Sequence, residues 1–165
     1  KSNSTLFEWF SSPIVYMESD FADLFRRVMN DYFSSKRSLY HYISMAEGNY
    51  REYLKGGMVK AKKYFYVLRP VLACRWVLEK QTPPPMLFSE LMKEELPEVL
   101  MSDINRLLEL KMKSPEIKMI PRIDRINAYL DESIADIKSI VQSMEDTKNP
   151  GWMELNKIFL NELDK

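Results

Sequence analysis

Residues Met58–Lys80 read MVKAKKYFYVLRPVLACRWVLEK. Wound at 3.6 residues per turn, Val59, Val67, Val71, Cys74, Val77 and Leu78 share one broad side. Lys62, Phe65, Arg69, Ala73 and Trp76 lie nearly opposite, and Tyr64, Leu68 and Leu72 fill much of the gap between them. A helix that is apolar most of the way round belongs inside a bundle, not on its surface. The spacing therefore predicts one long central helix over 58–80 with other helices on several sides. Pro70 should kink it and leave the Tyr66 carbonyl without its helical partner. Three cations, Lys62, Arg69 and Arg75, lie along this buried length. Charge in an apolar interior is costly unless it is paired or meets an anion.

Outward from that helix, amphipathic segments follow one another with no alternating strand pattern and no repeat. On the amino-terminal side, Ser4 is placed to cap a short helix with Leu6, Trp9 and Phe10, which Pro13 ends; Pro13–Tyr16 reads as an extended edge segment. Ser19 caps a helix over Asp20–Phe33, whose Phe21, Leu24, Phe25, Val28, Met29, Tyr32 and Phe33 form the cleanest amphipathic stripe in the chain. A third helix over Ser35–Leu54 turns Leu39, Tyr42, Ile43, Ala46, Tyr50 and Tyr53 inward, and Gly56-Gly57 ends it. On the other side, Thr82-Pro83-Pro84-Pro85 is a stiff connector. Helices over Ser89–Leu96 and Glu98–Met112 come next, the second with Leu100, Ile104, Leu107, Leu108 and Met112 on one side. Pro115 and Pro121 bracket a break. A long helix over Arg122–Met144 carries Ile123, Ile126, Leu130, Ile134, Ile137, Ile140 and Val141. Asn149-Pro150-Gly151 is a turn, and Trp152–Leu163 a last helix with Leu155, Ile158, Phe159 and Leu163. The expected class is all-α: a single domain over 1–165, built as an irregular bundle of seven or eight helices around the kinked central one.

Composition narrows the function. The 165 residues are 45% apolar and 29% charged with zero net charge, ordinary for a globular protein. The charge is unevenly spread. Lys36–Arg75 holds nine Lys/Arg against Glu47 and Glu52, about +7, so the rest of the chain is about −7. Such a split points to an anionic partner, unless it is only two solvated faces. One histidine, His41, and one cysteine, Cys74, leave no zinc ligand set and no internal disulfide. The carboxylate pairs Glu18/Asp20, Asp131/Glu132 and Glu162/Asp164 fall at helix starts, on exposed faces or at the tail, as dipole or solubility charges do. With no leader and no apolar run long enough to span a bilayer, the default is a cytoplasmic protein without a membrane partner.

The basic and aromatic residues are the informative set. Tyr50, Arg51, Tyr53 and Lys55 close one helix; Lys60, Lys62, Lys63, Tyr64, Tyr66, Arg69 and Arg75 occupy the next. Lysine offers a point charge to phosphate, arginine a bidentate fork, and tyrosine a ring for stacking or a hydroxyl donor. The plainer alternative is a tyrosine-rich core with snorkelling lysines, which suits Lys60 and Lys63 best. Arg37 and His41, one turn apart, form the pair a helical ribonuclease would need, although a capped, hydrogen-bonded structural pair explains them better.

Three strings carry a resemblance: KSNSTLFEWFSSPIVY from Lys1, YFSSKRSLYHYISMAEGNYREYL from Tyr32, and VKAKKYFYVLRPVLACRWVLEKQTPPPMLFSEL from Val59. In order and spacing, over Lys1–Leu91, they resemble the predicted nucleotidyltransferases of the DNA polymerase beta superfamily, the group linked to RNA repair pathways. From Met92 onward the likeness is to a variable helical tail. Members of that group carry an α/β catalytic domain ahead of this region, with a Gly-Ser motif and paired aspartates that hold two divalent ions and a nucleoside triphosphate. Here Gly48, Gly56, Gly57 and Gly151 are the only glycines and none precedes a serine. The resemblance therefore implies the helical carboxy-terminal half of such an enzyme, with no catalytic or metal-binding residues of its own. A start at Lys1 fits a cut inside a longer protein, or a processed or engineered beginning.

The same resemblance implies magnesium, a nucleoside triphosphate and an upstream catalytic domain as partners of the whole enzyme, RNA as a candidate acceptor, and no transferase activity in residues 1–165 alone. Within that frame the helical geometry makes Lys62, Arg69 and Arg75 candidates for triphosphate or acceptor phosphates, and Tyr64 or Tyr66 for the base or ribose. They should then converge on an open groove, partly unpaired. A nonenzymatic helical module binding RNA or protein would instead show a broad basic surface including Lys36, Arg37, Lys60 and Lys63.

Overall fold

The central helix occupies Ala61–Lys80 in a computed structural model that describes residues 3–113, 119–146 and 150–163. In chain order the elements are α1 (Ser4–Phe10), α2 (Asp20–Met29), a 3-10 turn (Asn30–Tyr32), α3 (Ser35–Tyr53), β1 (Met58–Lys60), α4 (Ala61–Lys80), α5 (Phe88–Glu95), α6 (Glu98–Lys113), β2 (Met119–Pro121), α7 (Asp124–Ser143) and α8 (Met153–Leu163). The protein is mostly α, as the periodicity predicts. α4 lies in the middle: α3 packs along it, and α5, α6 and α7 close other sides. Tyr64, Val67, Leu68, Val71, Leu72, Ala73, Cys74 and Val77 have lost all solvent contact. Each large apolar side chain buried this way contributes roughly 1.5–3 kcal/mol.

Pro70 sits inside α4, and the helix runs through it unbroken. The carbonyl of Tyr66, which Pro70 cannot serve, accepts a hydrogen bond from Asn49 Nδ2 at 3.3 Å; the same amide donates to the Met45 carbonyl at 2.9 Å. A side chain of α3 thus supplies what the proline removes. Gln81 ends α4 in the left-handed conformation (φ 56°), its N–H bonded to the Val77 carbonyl and Nε2 to that of Leu78 at 3.0 Å.

The structure corrects several expected boundaries. Met58–Lys60 is not the first turn of the central helix. It is a strand paired antiparallel with Met119–Pro121, in the register Met58↔Pro121, Val59↔Ile120, Lys60↔Met119. Each strand turns one residue inward, Val59 and Ile120, and a three-residue alternation is too short to outweigh the helical periodicity around it. The Arg122 N–H extends the ribbon by donating to the Gly57 carbonyl at 2.9 Å.

Asn3, not Ser4, caps α1, because Ser4 is buried with its hydroxyl 3.2 Å from that of Ser38 on α3. The helix over Asp20–Phe33 ends at Met29 and finishes as a 3-10 turn, and α2 leaves Leu24 exposed. Residues 14–17 pair with no strand among the described residues and expose Ile14, Val15, Tyr16 and Met17. On α8 only Ile158 is buried; Phe159 and Leu163 face solvent, as do Met112 on α6 and Ile140 on α7. Pro115 and Asn149 lie outside the described residues; Gly151 of the expected turn has φ +74°. No helix among the described residues is long and apolar enough to cross a membrane.

Candidate phosphate-binding face

Where α3 ends and α4 begins, a buried polar knot fixes the backbone. The Tyr64 hydroxyl is its centre. It donates to Asn127 Oδ1 of α7 at 2.9 Å and accepts the Ile123 N–H at 2.7 Å. Asn127 Nδ2 in turn donates to the carbonyl of Leu54, the residue that caps α3, at 2.9 Å, and lies 3.4 Å from the Tyr50 hydroxyl. Tyr50 donates to Asp131. Burial and that carboxylate push the Tyr50 phenol up to about 12. Burial raises Tyr64 also, against the opposing pull of the Ile123 N–H. Tyr64 is fully enclosed and both of its hydrogen-bonding roles are filled, so it holds α3, α4 and α7 together and does not reach a ligand.

Above this knot the basic residues reach the surface. Lys63 Nζ stands 3.7 Å from the centre of the Tyr53 ring and 4.3 Å from that of Tyr66, an ammonium held between two aromatic faces. Tyr66 is exposed, Lys62 and Lys63 are half-buried, and Lys60, Arg51 and Lys55 are open to solvent. Lys55 Nζ lies 4.5 Å over Tyr50 and 3.4 Å from Asp131. Lys62, Lys63 and Tyr66 thus share the amino-terminal end of α4, with Lys60 just before it on β1.

The other two predicted cations go elsewhere, and the expected convergence does not occur. Arg69 is paired: Nη1 donates to Glu8 Oε1 of α1 at 2.9 Å, and Nη2 reaches the Met86 carbonyl at 3.4 Å. The same Glu8 oxygen accepts the Tyr42 hydroxyl at 2.9 Å, so one carboxylate ties α1 to α3 and α4. Desolvation and that carboxylate drive the Tyr42 phenol far above its ordinary range. Arg75 lies a third of a turn round the helix from Arg69. It is exposed, with its guanidinium 6.0 Å from the centre of the Tyr129 ring. Beside it Glu95, on α5, is buried with Oε1 unpartnered among the described residues, and burial raises its carboxyl against the attraction of Arg75 and Lys80.

The Arg37–His41 pair is also divided. Both are exposed, but Arg37 Nε bonds Asp146 Oδ2 at 2.8 Å while Ser34 Oγ bonds Oδ1 at 2.8 Å. These contacts hold Asp146 below the usual carboxylate range. His41 packs edge-on to Tyr42, 5.2 Å between ring centres. Among the described residues no group of three or more His, Cys, Asp or Glu is placed to hold a metal ion.

Sequence reading missed a cleft of about 350 Å³ between α6 and β2, with Leu107, Leu110 and Ile120 in its lining and Arg106 and Arg122 beside them. It had no local signal, because one wall exists only through the long-range pairing of β2 with β1.

Comparison with known proteins agrees with the resemblance. The model of the RlaP family, described as the RNA repair pathway DNA polymerase beta family, matches residues 1–161, well past Leu91. An uncharacterized protein, YcgL of Bacillus subtilis (strain 168), is 41% identical over 167 residues. That match takes in all of this chain and 64% of the relative, so the chain spans less than two thirds of that relative's length. No solved structure matches.

Proposed function

The chain belongs to the RNA repair pathway DNA polymerase beta family, and from that premise we propose that it is the helical substrate-binding part of a metal-dependent nucleotidyltransferase. In this reading the carboxylates that hold the metal come from a separate catalytic domain, and residues 1–165 alone transfer nothing. Lys62 and Lys63, with Lys60 beside them, meet the phosphates of a nucleoside triphosphate or of the acceptor. Tyr66 lies against base or ribose. Arg69 supports them indirectly by anchoring α1. Arg75, facing α5 and α7, belongs to a different surface.

One observation carries the reading: lysine and exposed tyrosine occur together at one end of α4, over a polar knot that fixes the backbone beneath them. Rigid placement matters because a phosphate contact that must first be ordered loses part of its energy to that ordering. The test is a nucleotidyl-transfer assay with labelled triphosphate and magnesium, run on residues 1–165 and on a protein of the relative's full length. Transfer by the longer protein only is the expected result. Transfer by residues 1–165, or by neither, contradicts the proposal.

The same basic surface would serve a nonenzymatic RNA-binding module, with Arg51, Lys55 and Lys60 exposed beside Lys63. That reading requires RNA affinity that falls steeply with salt and no transfer by the longer protein.

A further inference from the structure

The cleft between α6 and β2 has no part in the reading above. Its volume of about 350 Å³ lies within the span of small-molecule sites, roughly 300–1,000 Å³. Leu107 and Leu110 from α6 and Ile120 from β2 give it apolar walls. Two guanidinium groups and one carboxylate, those of Arg106, Arg122 and Asp103, complete the polar part of its lining.

The charges there are not balanced within the cleft. Asp103 faces Arg125, at 3.6 Å, and Arg122 Nε bonds Asp124 at 2.8 Å. Arg106 is exposed and makes no ion pair among the described residues. An apolar slot beside an unmatched guanidinium favours a ligand with a flat apolar body and an anionic end. The body replaces water against Leu110, Pro121 and Ile123, which keep solvent contact, and the anion takes the planar fork of Arg106. A neutral ring would leave Arg106 unmet, and a bare phosphate would leave the apolar walls wet.

We infer that this cleft binds an aromatic anion, with the ring against Leu110 and Pro121 and a phosphate or carboxylate on Arg106 and Arg122. Choosing a nucleotide as that anion rests on the proposed transferase reading; the preference for an aromatic anion rests on the cleft itself. The ribbon that walls the cleft runs directly into α4 one residue after Lys60, so an occupant also stiffens the start of the basic face.

Adenosine monophosphate, adenosine and inorganic phosphate, each titrated calorimetrically into residues 1–165, test the inference. The monophosphate is expected to bind one to one, at least tenfold tighter than either part alone. Arg106→Ala should weaken it about fivefold and leave adenosine unchanged. Leu110→Trp, at a half-exposed position where the indole fills the slot, should abolish both; an unchanged melting temperature shows that the fold is kept. No monophosphate binding, or binding indifferent to Arg106→Ala and Leu110→Trp, overturns the inference. The transferase assay above is blind to that result, so either reading can fail without the other.

Discussion

In the middle of α4, Arg69 points to Glu8, a residue 61 positions earlier in the chain, and the pair is mostly shielded from water. Two turns earlier, Lys62 and Lys63 lie at the open end of the same helix, where Lys63 meets tyrosine faces and, among the described residues, no carboxylate. Both regions place cations on an apolar helix, and they differ in what comes to meet them. At Arg69 the fold supplies the anion, so the charge becomes a clamp between α1, α3 and α4. At Lys63 the fold supplies aromatic faces, which stabilise an ammonium without neutralising it. A cation in a greasy helix is therefore not by itself the mark of a ligand site.

The largest expected effect breaks the clamp. Arg69→Ala leaves Glu8 and Tyr42 sharing a mostly buried position without their cation. It should cost about 2 kcal/mol of stability in urea unfolding. Glu8→Gln, which keeps an acceptor, should cost less than Arg69→Ala. Equal losses would mean that the charge of the pair contributes little.

Next is Tyr64→Phe, which strands the Ile123 N–H and one oxygen of Asn127 beneath the basic end. About 1–2 kcal/mol should be lost, and hydrogen exchange at Ile123 should quicken while exchange in the middle of α4 does not. A loss spread evenly over the helix would erase the distinction between the two regions.

Lys63→Ala should change stability by less than about 1 kcal/mol and weaken triphosphate binding by about tenfold. The reverse outcome would make Lys63 structural and Arg69 the ligand residue.

The smallest effect lies beside Arg75. Burial raises the Glu95 carboxyl above its unfolded value. The cost of ionising it in the fold is absent below the unfolded pKa and complete above the folded one. Stability therefore falls as pH rises between the two. Glu95→Gln should remove this slope and be the more stable protein at neutral pH. Asp146 works in the opposite sense, its contribution being lost as pH falls through its lowered pKa. The difference between parent and variant isolates Glu95.

The helices were legible because their apolar spacing is local: α3, α4 and α7 fall within a few residues of the boundaries that periodicity assigns. Even the orphaned Tyr66 carbonyl followed from Pro70, though not the amide that serves it. What escaped was set by distant partners. The ribbon needs Val59 beside Ile120, and the fate of Arg69 depends on Glu8. Nothing local separates Tyr64 from the other aromatics of the basic segment; Asn127 and Ile123, 63 and 59 positions on, fill both of its hydrogen bonds. The family was legible from three long strings, whereas side-chain roles within it were not, since helical geometry gives direction but not partners.

The most direct test of the difference between the two regions is a triphosphate titration of residues 1–165 with the cleft closed by Leu110→Trp, and of two variants made in that background, with melting temperature recorded in parallel. The account predicts that Lys63→Ala weakens binding about tenfold with little change in melting, while Arg69→Ala lowers the melting temperature and leaves the affinity of the folded protein within twofold. Loss of binding in Arg69→Ala at temperatures where it remains folded, with the lysine variant unaffected, would contradict it.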